Sequence, residues 1–160
     1  MNRMPILPLL LALPLFAEAP VGAWTLAASP DIPAIIEKAT APMNFITRPI
    51  ARGRLKKTNP AYQRIRIERT PKEFVIQYDD RQAQHMPADG SSVAWKREDG
   101  EVFQIATRVD KDDLVQTYKA EDGERTNVFH LDPASRALTL TVTVKSHKLP
   151  APVVYAITYK

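Results

Sequence analysis

Side chains able to do covalent or proton-transfer chemistry are few in this chain and poorly spaced for it. His85, His130 and His147 have no partner at a ligand spacing, i, i+4 on a helix or i, i+2 on a strand, so no metal site is expected. No serine motif stands near His130 or His147 to make either one a triad base. Acidic pairs occur at Asp79-Asp80, Glu98-Asp99, Asp112-Asp113 and Glu121-Asp122, but each falls in or beside a turn, where solvated carboxylates belong. A general acid needs a carboxyl raised by an apolar pocket, and nothing in the pattern provides one. The chain has no cysteine, which removes thiol nucleophiles, thiolate zinc sites, disulfides and a lipid-modified N-terminal cysteine. Five glycines without a glycine-rich loop leave no phosphate cradle. Neither catalysis nor a cofactor is expected, which leaves binding.

Two groups of residues suit binding. The first consists of polar side chains on rows that are otherwise apolar: Gln116 with Leu114 and Tyr118, and Arg125 and Asn127 with Phe129 and Leu131. With Tyr155 and Tyr159 of the last apolar row, Gln116, Tyr118, Arg125, Asn127 and Phe129 are the candidate lining of a ligand site. Either the polar groups project into a partly wet cavity and orient a ligand, or they pair with backbone and water, or lie near a rim, for stability alone.

The second group is basic. Arg48, Arg52, Arg54, Lys56, Lys57, Arg64, Arg66, Arg69 and Lys72 are opposed within their stretch only by Glu68, in a chain of net charge +4. Arg48, Arg52, Arg54, Lys56 and Lys57 are the candidate contacts to an anionic surface. The compartment decides which anion they meet. Met1 to Arg3 carry one positive charge and Pro5 to Phe16 form an apolar run too short to span a bilayer, the anatomy of a cleavable signal peptide. Of two small-residue cut points, the one after Ala19 places Pro20 beside the scissile bond, so the mature chain is expected to start at Trp24. An exported protein, periplasmic or secreted, meets anionic lipid, lipopolysaccharide and acidic glycan rather than nucleic acid. A solvated basic loop and strand face is the alternative.

The elements that must position these residues divide the chain at about residue 60. The mature length fits one domain able to bury roughly two-thirds of its extended surface. Within it, residues 24–60 read as a helical segment and basic linker: Ser29 caps a helix beginning at Pro30, with Ile32, Ile35, Ile36 and Ala39 on one face. After Pro42, a short turn at Met43 to Ile46 leads into a linker running to Asn59-Pro60. Trp24, Leu26 and Ile32 are open to a different use, as a mobile partner-binding arm. Over residues 61–160 the period becomes two, and strands are predicted at Gln63–Arg69, Glu73–Asp79, Ser92–Lys96, Val102–Arg108, Asp113–Ala120, Glu124–Leu131, Ala137–Lys145 and Val153–Tyr159. The expected fold is mainly β: an antiparallel up-and-down meander of about eight strands, a barrel or strongly curved sheet, with one or two short N-terminal helices. No segment after the leader is long and apolar enough for a membrane-spanning helix.

The run Asp113 to Arg125, followed by Ala137 to Val142 and Val153 to Lys160, resembles the last strands of intracellular fatty-acid-binding proteins over the C-terminal third. Over most of the mature chain, Ala51 to Leu55, Trp95 to Gly100 and Ser146 to Pro150 resemble segments of small exported bacterial proteins of unassigned function. The lipocalin and fatty-acid-binding resemblance implies a meander barrel with a helical lid and an apolar ligand inside. It departs at one place. That family often holds a carboxylate with Arg-x-Tyr on the final strand, where this chain has Ile157-Thr158-Tyr159, so Arg125 would have to substitute.

Two functions are therefore expected to compete: an exported, non-catalytic, lipocalin-like binding module for an apolar or amphiphilic small molecule, and a cell-envelope structural or interaction protein docking anionic lipid, glycan or a protein partner through its basic segment. An outer-membrane barrel fits poorly, because the strands are short and charge-rich and the chain ends in Lys160 rather than an aromatic residue.

Overall fold

The structure is a computed structural model and describes residues 19–160; most of the expected signal peptide, residues 1–18, lies outside the described residues. Ten strands and two helices follow in the order β1 Gly22–Ala28, α1 Ile32–Thr40, α2 Thr47–Thr58, β2 Arg64–Arg69, β3 Glu73–Tyr78, β4 Gln84–Pro87, β5 Val93–Lys96, β6 Val102–Asp110, β7 Asp113–Ala120, β8 Gly123–Leu131, β9 Leu138–Ser146 and β10 Val153–Tyr159. All neighbours are antiparallel, in the sheet order β4-β3-β2-β1-β10-β9-β8-β7-β6-β5. The terminal strands β4 and β5 lie close to one another without sharing a ladder, so the sheet is a nearly closed barrel. Among the described residues no helix is long and apolar enough to cross a membrane.

Three elements depart from expectation. Trp24 and Leu26 do not form a mobile arm: they belong to β1, where Trp24 is buried opposite Ile65 and Leu26 stands opposite Tyr159. This strand joins the two halves of the meander, and Thr25 and Lys160 exchange backbone hydrogen bonds of 2.7 and 2.8 Å. It begins at Gly22, so Ala23 at the end of the expected leader is paired with Arg66. A second added strand, β4, carries no β-branched residue to reveal it, yet sets Met86 opposite Phe74 and Gln84 opposite Ile76.

The third departure is the basic linker, which is a helix. The Asn44 side chain accepts from the backbone N–H groups of Ile46 (3.0 Å) and Thr47 (2.9 Å), which start α2. Pro49 falls within the first turn, where its missing N–H would have had no intrahelical partner. For α1 the cap is Asp31, whose Oδ1 accepts from Ala34 N at 3.0 Å, and the hydroxyl of Ser29 turns instead to Pro30 O. α1 buries Ile32 and Ile36 and packs against β10, while α2 lies beside α1.

Strand alternation places the inner face as expected. Register then stacks it into layers. Leu114, Phe129, Leu140 and Ile157 are mutual cross-strand neighbours, as are Gln116, Asn127, Val142 and Tyr155 one step along, and Tyr118, Arg125, Val144 and Val153 the step after. The first layer is fully packed, and the third opens towards α2.

Candidate functional site

A cavity of about 550 Å³ lies between α2 and the open end of the barrel. Its walls include Leu55 and Ile50 from α2, Tyr62 and Tyr78 on one side, and Trp95, Phe103 and Tyr118 on the other. Trp95, Phe103 and Tyr118 form a tilted to edge-on cluster with centroids 6.0 to 6.3 Å apart. Tyr62 and Tyr78 approach at 4.6 Å. This belt gives an apolar body a surface to lie on.

Beneath it runs a connected polar network. Tyr78 donates its hydroxyl proton to Gln116 Oε1 at 2.7 Å and accepts from Asn127 Nδ2 at 2.9 Å. Gln116 Nε2 donates to Gln84 Oε1 at 2.7 Å, which also accepts from Tyr118 at 2.6 Å. Arg125 Nε donates to Asn127 Oδ1 at 2.9 Å, and its Nη1 reaches Thr58 O (3.1 Å) and Asn59 Oδ1 (3.2 Å) at the C-terminal end of α2. Tyr155 closes the chain by donating to Asn59 Oδ1 at 3.1 Å. Burial pushes the Tyr118 hydroxyl up to about 12 and that of Tyr78 well above its ordinary value, so both are neutral donors across the physiological range.

Arg125 is the electrostatic feature of the site. It lines the cavity, its hydrogen-bond partners are all neutral, and the titratable groups around it are Tyr155, Tyr118, Tyr62 and Tyr78. Carboxylates that share the cavity wall are already matched: Glu101 by Arg54 and Arg97, Asp122 by Lys148, and Glu124 by Lys119. A guanidinium keeps its charge even when enclosed, so this end of the cavity presents a permanent cation whose Nη2 has no partner in the network.

Of the residues expected to line a site, Tyr118 and Arg125 do so. Gln116 and Asn127 lie one layer below and hold the network together. Tyr155 reaches it through its hydroxyl, while Phe129 and Tyr159 are wholly buried in the packed layers and do not face the cavity. The polar groups of the mixed rows thus divide by depth: Arg125 faces the cavity, while Gln116 and Asn127 are satisfied within the network. Sequence reasoning missed Tyr78, Gln84, Trp95 and Phe103; alternation of Phe74, Ile76 and Tyr78 held a signal for the first, but only barrel closure brings Gln84 of β4 beside β7. The histidines are distributed singly, each within reach of one carboxylate, Glu73, Asp113 or Asp122, and among the described residues no cluster able to hold a metal occurs. On the basic segment, Arg54 pairs with Glu101 and Lys56 with Glu37, while Arg52 turns inward to Thr40 Oγ1 and Glu37 O.

A ten-stranded, nearly closed antiparallel barrel capped by a helical pair over an interior cavity defines a fatty-acid-binding-protein-like, calycin-like fold. No protein-family model and no curated protein sequence matches the chain. Solved structures do match. Human cRBP IV shares the fold at a TM-score of 0.55 and 17% identity, over 88% of this chain and 96% of that one. Fatty-acid-binding protein 1 of Echinococcus granulosus does so at 0.56 and 13%, over 88% and 95%. A secretary abundant heat soluble protein of Ramazzottius varieornatus is similar at 0.62 and 11%, over 88% and 93%.

Proposed function

We propose that this chain is an exported, non-catalytic binding module for an amphiphilic small molecule with an apolar body and an anionic end. The observation that carries this reading is the unmatched Arg125 guanidinium facing an otherwise aromatic and aliphatic cavity. An anion there would gain charge-assisted hydrogen bonds from a group already desolvated and oriented by Asn127, Thr58 and Asn59. The apolar body would lie along Trp95, Phe103 and Leu55 towards the mouth. Proteins of similar fold, a fatty-acid-binding protein and a fatty acid transporter among them, support the ligand class.

Native mass spectrometry of the protein purified from its own host, with organic extraction of what travels with it, tests the reading. A stoichiometric anionic amphiphile is the expected result. A clean apo mass that also fails to take up an added long-chain carboxylate overturns it.

A second reading, an envelope protein docking an anionic component through its basic segment, is favoured by a separate observation: Arg48, Arg52, Arg54, Lys56 and Lys57 all stand on one short helix, α2, rather than along a loop.

A further inference from the structure

The outer wall of the barrel is not uniform. Of the chain's residues 25% are charged, and on β2 the outward positions are Arg64, Arg66 and Glu68, as a solvated strand face requires. The wall formed by β7, β8 and β9 is different. Register aligns its outward positions into rows: Thr117, Thr126 and Thr143 make one, and Val115, Val128 and Thr141 the next. Neither row carries a charge on these strands, and β10 extends them with Val154, 51% exposed, and Ala156. At the other margin Arg108 of β6 is paired with Asp110. Threonine and valine standing out from a sheet present methyl groups and neutral hydroxyls, the kind of surface on which a second sheet packs.

Charge returns at the two ends of these strands. Towards the cavity mouth the outward row is Lys119, Glu124 and Lys145, and at the far end it is Asp113, His130 and Thr139. This order selects both the partner and its orientation. A two-fold axis running across the strands, between the two uncharged rows, lays β8 on β8 with the strand direction reversed. Lys119 then meets Asp113 of the second copy and Glu124 meets His130, each contact made twice, while Thr126 meets Val128 between them. An axis along β8 would instead set Lys119 against Lys145 and Glu124 against Glu124. The face is therefore complementary to itself in one orientation and repulsive in the other, and only a second copy of this chain supplies that match.

We infer that this chain forms a two-fold dimer through the outward face of β7, β8 and β9, with the two barrels antiparallel. The cavity mouths then open in opposite directions, and the dimer needs no occupied cavity. Four strands about 4.8 Å apart and four rows about 6.7 Å apart make a face of roughly 20 by 20 Å. That is near the lower limit for a specific pair, so the expected dissociation constant is on the order of 10 μM.

The experiment is sedimentation equilibrium of the purified chain at concentrations about tenfold to either side of that constant. Wild type should pass reversibly from monomer to dimer. Thr126→Lys, which brings two like charges together at the centre of the face, should stay monomeric, and thermal unfolding checks that each variant folds. Lys119→Glu and Asp113→Lys should each weaken association roughly tenfold, and the two combined should restore it. Lys119 and Asp113 stand towards opposite ends of one strand, about 20 Å apart, so restoration can come only from contact between copies. Wild type that stays monomeric throughout overturns the dimer. Dimerisation undisturbed by Thr126→Lys places the interface elsewhere and also overturns it, and a double variant no stronger than the single ones overturns the antiparallel arrangement. Monomeric wild type that pellets with an insoluble glucan, and loses this in Thr126→Lys, assigns the face to a polysaccharide and likewise overturns the dimer.

Discussion

The two ends of the barrel are built from the same strands with the same alternation, and they differ in what fills the space between them. At the far end Phe74, Phe129, Leu140, Ile157 and Tyr159 are fully or almost fully buried, and the interior is closed by side-chain volume. At the end under α2, the next residues inward on β7, β8 and β9 are Tyr118, Arg125 and Val144, and a cavity remains. The polar layer of Gln116 and Asn127 lies between. The difference teaches that packing and open space are separated along the barrel axis: one end supplies the core, and the other can stay open because the polar layer is satisfied internally and makes a floor.

The largest expected effect comes from opening the packed end. Phe129→Ala should cost about 3–5 kcal/mol in chemical denaturation, because tightly packed neighbours on β7 and β9 cannot collapse into the space. A loss below about 1 kcal/mol would mean the two ends are packed alike.

The floor comes next. Tyr78→Phe removes a donor from Gln116 and an acceptor from Asn127, both buried, and should cost about 1–3 kcal/mol. A double-mutant cycle with Asn127→Ala would then be strongly non-additive; simple additivity would show that the network is not one unit.

Alkaline pH attacks the same layer without mutation. The unfolded chain releases the Tyr118 proton near its ordinary value of 10.0, whereas the folded chain holds it to about 12. Between these values the unfolded state binds fewer protons, so stability should fall as pH rises from about 10 to about 12 and be level below that range. Urea midpoints across this range, read beside tyrosinate absorbance, check it. Tyrosine ionisation without loss of stability would mean that the layer is open to water.

Smaller effects belong to the open end. Ala51→Phe, on the α2 residue facing the cavity, should change stability by less than about 1 kcal/mol while displacing a bound amphiphile, because it fills space rather than removing contacts. Unchanged ligand uptake would place the ligand elsewhere. The smallest effect is expected at Tyr159→Phe. Its hydroxyl is buried without a hydrogen-bond partner, so removing it should be neutral or slightly stabilising, in contrast to Tyr78→Phe. A clear destabilisation would reveal a partner at the packed end.

What the sequence by itself determined is the part of the molecule written in local periodicity. The period of two on Leu138 to Val144 and on Val153 to Tyr159 marked which side chains face inward, and turn residues marked where the meander reverses. The apolar face of Ile32 to Ala39 marked α1. It also placed Gln116, Arg125 and Asn127 on inward rows. Elements whose stability comes from partners distant in sequence were hidden: β1 is held by β2 and β10, and β4 has no strand-forming composition; α2, started by the adjacent Asn44 side chain, was masked by Gly53 in its interior. Tertiary structure alone decided depth. Alternation says that a residue points inward but not whether the volume it points into is occupied, because that depends on how ten strands and α2 close around it. Only that closure buries Phe129 in packed core, sets Arg125 against a cavity four residues along the same strand on the same face, and leaves Phe45 and Ile46 outside.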